Sequence, residues 1–440
     1  MSIVQVLSLY LLALHAEAAV FNTHIQDNRD ALVQLQRHYG GSRSTPHDQV
    51  QRTRPFRNQI QSPIHAGNDR LAFNDHNAEI WDNFWLAPYV VPAALGTPPQ
   101  PCRLLIDLTW DTLFVPSANC TGACDDDSNV SRLRFYSNRS STYSAQGPAA
   151  SFFYGTDRFT GEVATDAFRI AGLEIDNQSF INVERADTLG FLDLYLGYEG
   201  VLGLAPRWNH SDTPYSPLTA RSPWYTMVDE SILDANLFAL DLPGGLFDTE
   251  HPDRSGELNF GGISQKYTSS SFFHLPLSNY SDQVWAVEAK SITWENTTNP
   301  LHEDFTNLTL AGFDTTAWYF ALPGNWSNNI YDSVKHECNP ITCYVDCDLR
   351  QDLPNMTFGL GGARITLTPF EYTSEILGQD KERLCTFDVV DTDRFGFPVD
   401  AIVLGRAFME AFYMVFDLDD REVRVTRKIQ EQHANPAHVV

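Results

Sequence analysis

Two aspartates, Asp107 and Asp314, stand in matching frames of this 440-residue chain. The first frame reads Leu105-Ile106-Asp107-Leu108-Thr109 and closes with Val115-Pro116. The second reads Gly312-Phe313-Asp314-Thr315-Thr316 and closes with Leu322-Pro323, the proline falling nine residues after the aspartate in both. Each frame has a partner downstream, Val201-Leu202-Gly203 and Val403-Leu404-Gly405, at 96 and 91 residues from aspartate to glycine. A chain built twice on one plan, with one carboxylate per half, suggests two lobes that meet at a carboxylate pair. Two carboxylates about 3 Å apart repel by roughly 5 kcal/mol at an effective dielectric of about 20. One therefore keeps its proton while the other serves as a base. Such a pair can take a proton from water and drive hydrolysis.

The elements that must position this pair are strands. After Trp81, short alternating or apolar runs at 89–91, 103–106, 150–154 and 168–170 recur between Gly, Pro and Asn/Asp turns, an all-β pattern. The best helix candidate covers 224–233, after Pro223 and before a strand at 238–242. Asp417-Leu418-Asp419-Asp420 reads as a hairpin turn before a last strand at 422–426. The lobe boundary is expected within 262–285, giving lobes at 76–262 and 263–440.

The first 75 residues read differently. Residues 3–14, IVQVLSLYLLAL, followed by His15-Ala16-Glu17-Ala18, resemble a secretory signal ending near residue 18, although no Lys or Arg precedes the run. The run is too short to span a bilayer. Residues 19–75 are polar, with a short helix expected at 30–37. Residues 20–75 carry seven Arg against five Asp in a chain of net charge −26, so the negative charge falls beyond them. This segment reads either as a disordered leader or as a detachable piece complementary to an acidic body. The acidic body argues against nucleic acid or anionic membrane as partner.

Ten Asn-x-Ser/Thr sequons, at Asn119, Asn129, Asn138, Asn177, Asn209, Asn279, Asn296, Asn307, Asn325 and Asn355, favour an exported glycoprotein. Seven cysteines fit an oxidising compartment. Cys120 and Cys124, and Cys338 and Cys343, are close enough for small disulfide loops, and Cys347 and Cys385 are candidates to close a longer one. Cys102 is left over, as a buried inert thiol or an intermolecular bridge. The spacings fit no zinc pattern, and neither a metal nor a cofactor is implied.

From about residue 80 to 427 the chain resembles the pepsin-like aspartic peptidases. Gly96-Thr97-Pro98-Pro99-Gln100, Ser140-Ser141-Thr142-Tyr143, Glu199-Gly200-Val201-Leu202-Gly203-Leu204, Gly256-Glu257-Leu258-Asn259-Phe260-Gly261-Gly262, Leu404-Gly405-Arg406 and Val415-Phe416-Asp417 each parallel a family motif, in family order. The resemblance implies a mostly β, bilobal fold with a cleft between two lobes related by a pseudo-two-fold axis. Asp107 and Asp314 align with the catalytic aspartates. Tyr154 and Gly155 align with the flap that closes over substrate, and Thr315 with a threonine that bonds across the lobes. The product would be a monomeric endopeptidase acting on polypeptides, made as a zymogen, and either secreted or sent to a lysosome-like compartment.

The sequence also departs from the family pattern of Asp-Thr-Gly followed by Ser or Thr. Leu108 has no hydroxyl to return the bond of Thr315. Thr109 and Thr316 put β-branched side chains where glycine lets backbones approach. Trp110 and Ala317 lack the hydroxyl that bonds the outer carboxylate oxygen. Phe114 stands where a Trp usually bonds the flap tyrosine, and residues 20–75 hold no lysine to cover the aspartates, Arg37 or Arg57 being the candidate substitute. Losing one preorganised donor removes about 10² to 10³ in rate, so catalysis is expected to be impaired or lost. The alternative is an inactive homologue that holds a peptide or protein in its cleft. A two-carboxylate glycosidase has only the acid pair in its favour.

Overall fold

The computed structural model describes residues 76–428 except 83–88, 123, 125–133, 155–156, 188–198, 207–219, 244–255, 280–283, 296–300, 318, 339–342, 378–382 and 393–400. The apolar leader, the segment 19–75 and the helix expected at 30–37 lie outside the described residues.

Strands dominate, and two groups of them follow one plan. In the first, Gln100–Asp107 runs parallel to Val201–Gly203 and antiparallel to Tyr89–Leu95. Val201–Gly203 lies antiparallel to Leu113–Gly122, which runs parallel to Leu173–Ala186. In the second, Leu301–Phe313 runs parallel to Ala401–Leu404 and antiparallel to Ala286–Trp294. Ala401–Leu404 lies antiparallel to Phe320–Leu322, which runs parallel to Val389–Asp391. The pairings repeat step for step, with Ile106 opposite Leu202 and Phe313 opposite Leu404. Val201–Gly203 and Ala401–Leu404 are buried along their whole length, which explains their unbroken apolar runs.

A shared floor joins the two lobes. Leu237–Asp241 pairs with Gly256–Phe260 on one side and with Phe412–Asp417 on the other. Gly256–Phe260 pairs onward with Asn77–Asp82, and Phe412–Asp417 with Glu422–Arg427. An aromatic cluster sits on this floor. Phe238 stacks on Phe416 at 5.0 Å, and Trp285 lies 5.1 Å from Phe416 and 5.9 Å from Trp224. Phe313, the residue before Asp314, lies 5.9 Å from Phe416. The Trp285 indole N–H donates to the Leu204 carbonyl at 2.8 Å, just past the first frame's downstream partner. Burying each such ring contributes about 2–3 kcal/mol, so both aspartate loops rest on one rigid base.

The helix after Pro223 is shorter than its sequence suggests. It covers Pro223–Asp229, because Ser231 takes a left-handed φ of 57° and the Ile232 amide turns back to the Met227 carbonyl at 2.8 Å. The final hairpin is as expected, with the Asp420 amide donating to Asp417 Oδ1 at 3.0 Å in the turn. No described helix is long and apolar enough to cross a membrane.

Disulfides join Cys120 to Cys124 and Cys347 to Cys385. The strands Glu337–Cys338 and Cys343–Asp346 set Cys338 opposite Cys343, whose side chains lie outside the described residues. Cys102 is a free thiol, half-buried as a residue rather than buried, and packed against the core. Burial of its sulfur pushes the thiol up to about 12, against the pull of the Arg103 charge, which leaves it unreactive.

Candidate active site

Asp107 ends the strand Gln100–Asp107, and Asp314 directly follows Leu301–Phe313. Each is tied to its partner strand. The Leu204 amide donates to the Asp107 carbonyl at 2.7 Å, and the Asp314 amide donates to the Leu404 carbonyl at 3.2 Å. The loops then repeat a contact, Ala205 N–H to the Trp110 carbonyl at 2.9 Å and Arg406 N–H to the Ala317 carbonyl at 2.7 Å. Glycine is required where they cross. A Cβ on Gly203 would lie 2.4 Å from the Trp110 carbonyl oxygen, and one on Gly405 would lie 2.3 Å from the carbonyl oxygens of Ala317 and Tyr319.

Both carboxylates are fully buried, which is tolerable only if donors replace water. Asp107 Oδ1 accepts the Thr109 amide and the Thr109 hydroxyl, each at 2.7 Å. Asp314 Oδ1 accepts the Thr316 amide at 2.7 Å, the Thr316 hydroxyl at 2.6 Å and the Ala317 amide at 3.3 Å.

Thr315 links the two loops. Its hydroxyl donates to the Ile106 carbonyl at 2.7 Å and accepts from the Leu108 amide at 3.3 Å. The residue beside Asp314 thus grips the backbone on both sides of Asp107, setting the two aspartate loops face to face. Leu108 is buried and has no hydroxyl with which to make the reverse bond. Thr315→Val is expected to lower the unfolding free energy by about 2 kcal/mol, because two buried backbone groups lose this partner. Urea unfolding measures it, and an unchanged midpoint would show the bridge to be idle.

Tyr154 ends the strand Ser144–Tyr154, and its hydroxyl donates to Asp107 Oδ2 at 2.6 Å. Its ring stands edge-on to Trp110 at 5.4 Å and to Phe114 at 5.2 Å, within a cluster that includes Phe152 and Phe159. Phe114 offers the Tyr154 hydroxyl no hydrogen bond, yet that hydroxyl is not left without a partner, since it donates to the aspartate. Trp110, bulky beside Asp107, is accommodated as a wall against which Tyr154 lies. Gly155 lies outside the described residues.

Thr109 and Thr316, expected as intrusions into glycine space, instead place their hydroxyls on the carboxylates, a role their sequence position alone does not reveal. The available signal was that both frames carry threonine at the same offset, two residues after the aspartate.

The family model described as "Eukaryotic aspartyl protease" matches residues 88–428. The chain is 28% identical to "Vacuolar protease A" of Aspergillus fumigatus over 352 residues, covering 79% of this chain and 80% of that protein. It is 27% identical to "Embryonic pepsinogen" of Gallus gallus, over 78% of this chain and 80% of the relative. It is also 27% identical to "Cathepsin D" of Dictyostelium discoideum, over 78% and 84%.

Proposed function

Since the chain belongs to the eukaryotic aspartyl protease family, we propose that it hydrolyses internal peptide bonds of polypeptides with Asp107 and Asp314 as the water-activating pair. The observation that carries this reading is the matched anchoring of the two carboxylates, each held at Oδ1 by the amide and hydroxyl of the threonine two residues on. A base must point at its proton to accept it. Shared protonation across an aspartate pair is the known habit of aspartic proteases. Here one carboxylate takes a proton from water as the oxygen attacks the peptide carbonyl, and the protonated partner supports the oxygen that becomes negative. The rate is set below that of an intact motif, because the Thr315 bridge has no counterpart from Leu108.

The wider biology follows the same reading. The leader at 1–18 exports the chain, and 19–75 is a prosegment removed from the lobes at 76–262 and 263–440. The six sequon asparagines whose exposure is described, Asn119, Asn138, Asn177, Asn279, Asn325 and Asn355, are all exposed, which suits glycosylation. The destination is extracellular or a lysosome-like compartment. The enzyme works as a monomer on polypeptide substrates.

A second reading has its own observation. Tyr154 rests on Asp107 with Trp110 beside it, an arrangement that also suits a cleft that holds a peptide without cutting it. Incubating the purified secreted protein with a denatured polypeptide between pH 2.5 and 6.5 decides between them. Internal cleavage and loss of residues up to about 75, read by mass spectrometry, are expected. Peptide binding without products at every pH would replace hydrolysis by the binding reading.

A further inference from the structure

Each aspartate of the pair receives two donors from a single threonine, and both land on one oxygen. Thr109 gives its amide and hydroxyl to Asp107 Oδ1, and Thr316 gives the same two groups to Asp314 Oδ1. The last torsion of an aspartate side chain is soft, so a single donor lets the carboxylate plane rock about that contact. Two diverging donors restrict the rocking and aim the second oxygen away from the loop. On Asp107 that second oxygen meets the Tyr154 hydroxyl. Trp110 and Ala317 have no hydroxyl and the Thr315 hydroxyl is committed to the Ile106 carbonyl; Ala317 adds only a longer amide contact to Asp314 Oδ1, at 3.3 Å. Thr109 is buried and Thr316 is partly so, leaving water little room to compete for these bonds.

We infer that Thr109 and Thr316 are positioning residues of the pair, whose hydroxyls orient the two carboxylates and thereby offset part of what the altered motifs remove. The inference rests on the hydrolytic reading for its effect on rate, and on geometry alone for the anchoring. Hydrogen bonds to a carboxylate favour its charged form. Removing a hydroxyl therefore has a pH signature that loss of packing lacks.

Thr109→Val and Thr316→Val delete the hydroxyl and keep the amide and the branched shape; Thr109→Ser and Thr316→Ser keep the hydroxyl. Each valine variant is expected to lower kcat by about 10- to 100-fold, with KM little changed and the acidic limb of the pH profile moved to higher pH. Each serine variant should recover most of the loss. Valine variants with unaltered kcat and pH profile overturn the inference. Should valine prevent folding, Thr109→Ala and Thr316→Ala carry the same expectation.

A melting comparison needs no turnover. The gap in Tm between the serine and valine variants should widen from pH 2.5 to 6.5, because the hydroxyl stabilises the ionised carboxylate. A gap independent of pH overturns the anchoring. If the wild type cuts nothing, the hydrolytic reading fails by itself, and the melting comparison still tests the threonines.

Discussion

Asp314→Asn is expected to reduce peptide cleavage by about 10³-fold or more, the scale on which a general base contributes, and Asp107→Asn to do the same. The asparagine carbonyl can still accept the Thr316 amide and hydroxyl that Asp314 Oδ1 accepts at 2.7 and 2.6 Å. At Asp107 the new amide can donate to the Tyr154 hydroxyl, which now donates to Oδ2 at 2.6 Å. Both variants should therefore fold, with melting temperatures near the wild type, and should bind peptide. What they lack is an ionisable group. In the proposed mechanism both aspartates serve one water, so the double variant should be no slower than either single one. Activity is compared at each pH from 2.5 to 6.5 on one denatured substrate. A variant that stays within tenfold of the wild type while remaining folded would remove that aspartate from the chemistry.

The duplicated plan was legible because it is written locally. Aspartate, proline and Val-Leu-Gly recur at similar offsets, and the crossing of backbones at Gly203 and Gly405 leaves no room for any other residue. The strand pairings Ile106 to Leu202 and Phe313 to Leu404 turn that repetition into the same register in both halves. Contacts set by tertiary packing were not legible. The bond from Trp285 to the Leu204 carbonyl joins residues 81 apart, and nothing in either neighbourhood announces it. Tyr154, 47 residues from Asp107, reaches its carboxylate with its ring packed on Trp110 and Phe114, contacts that only the fold brings together. The early helix end at Ser231 shows the same limit, since apolar periodicity continues past a residue whose left-handed backbone stops the helix.

Asp388 was invisible for the same reason, and it carries the second large expectation. It is 8% exposed, in a short link between the strands Arg383–Phe387 and Val389–Asp391. The Ser374 hydroxyl donates to Oδ2 at 2.7 Å, and the other oxygen has no hydrogen-bond partner among the described residues. Burial pushes its carboxyl from 3.8 up to about 7; the charge of Glu410 adds to this, while Ser374, Arg350 and Arg406 oppose it. A carboxyl whose folded value is raised binds its proton more tightly folded than unfolded. Its contribution to stability is therefore complete below the unfolded value of 3.8 and is lost as pH rises through about 7. The shift corresponds to about 4 kcal/mol over that window.

The location gives this loss a functional direction. The Asp388 carbonyl accepts the Phe320 amide at 2.8 Å, and Phe320–Leu322 is the strand that follows the Asp314 loop. Ionising Asp388 thus weakens the support of the Asp314 loop as pH approaches neutrality. Asp388→Asn should unfold at nearly the wild-type urea concentration at pH 4 and at a clearly higher one at pH 8, since its amide cannot ionise. The difference between the two proteins isolates this carboxyl from every other titrating group. A difference that does not change between pH 4 and pH 8 would mean that Asp388 does not couple pH to stability, and that any acid preference of the proposed cleavage arises within the aspartate pair itself.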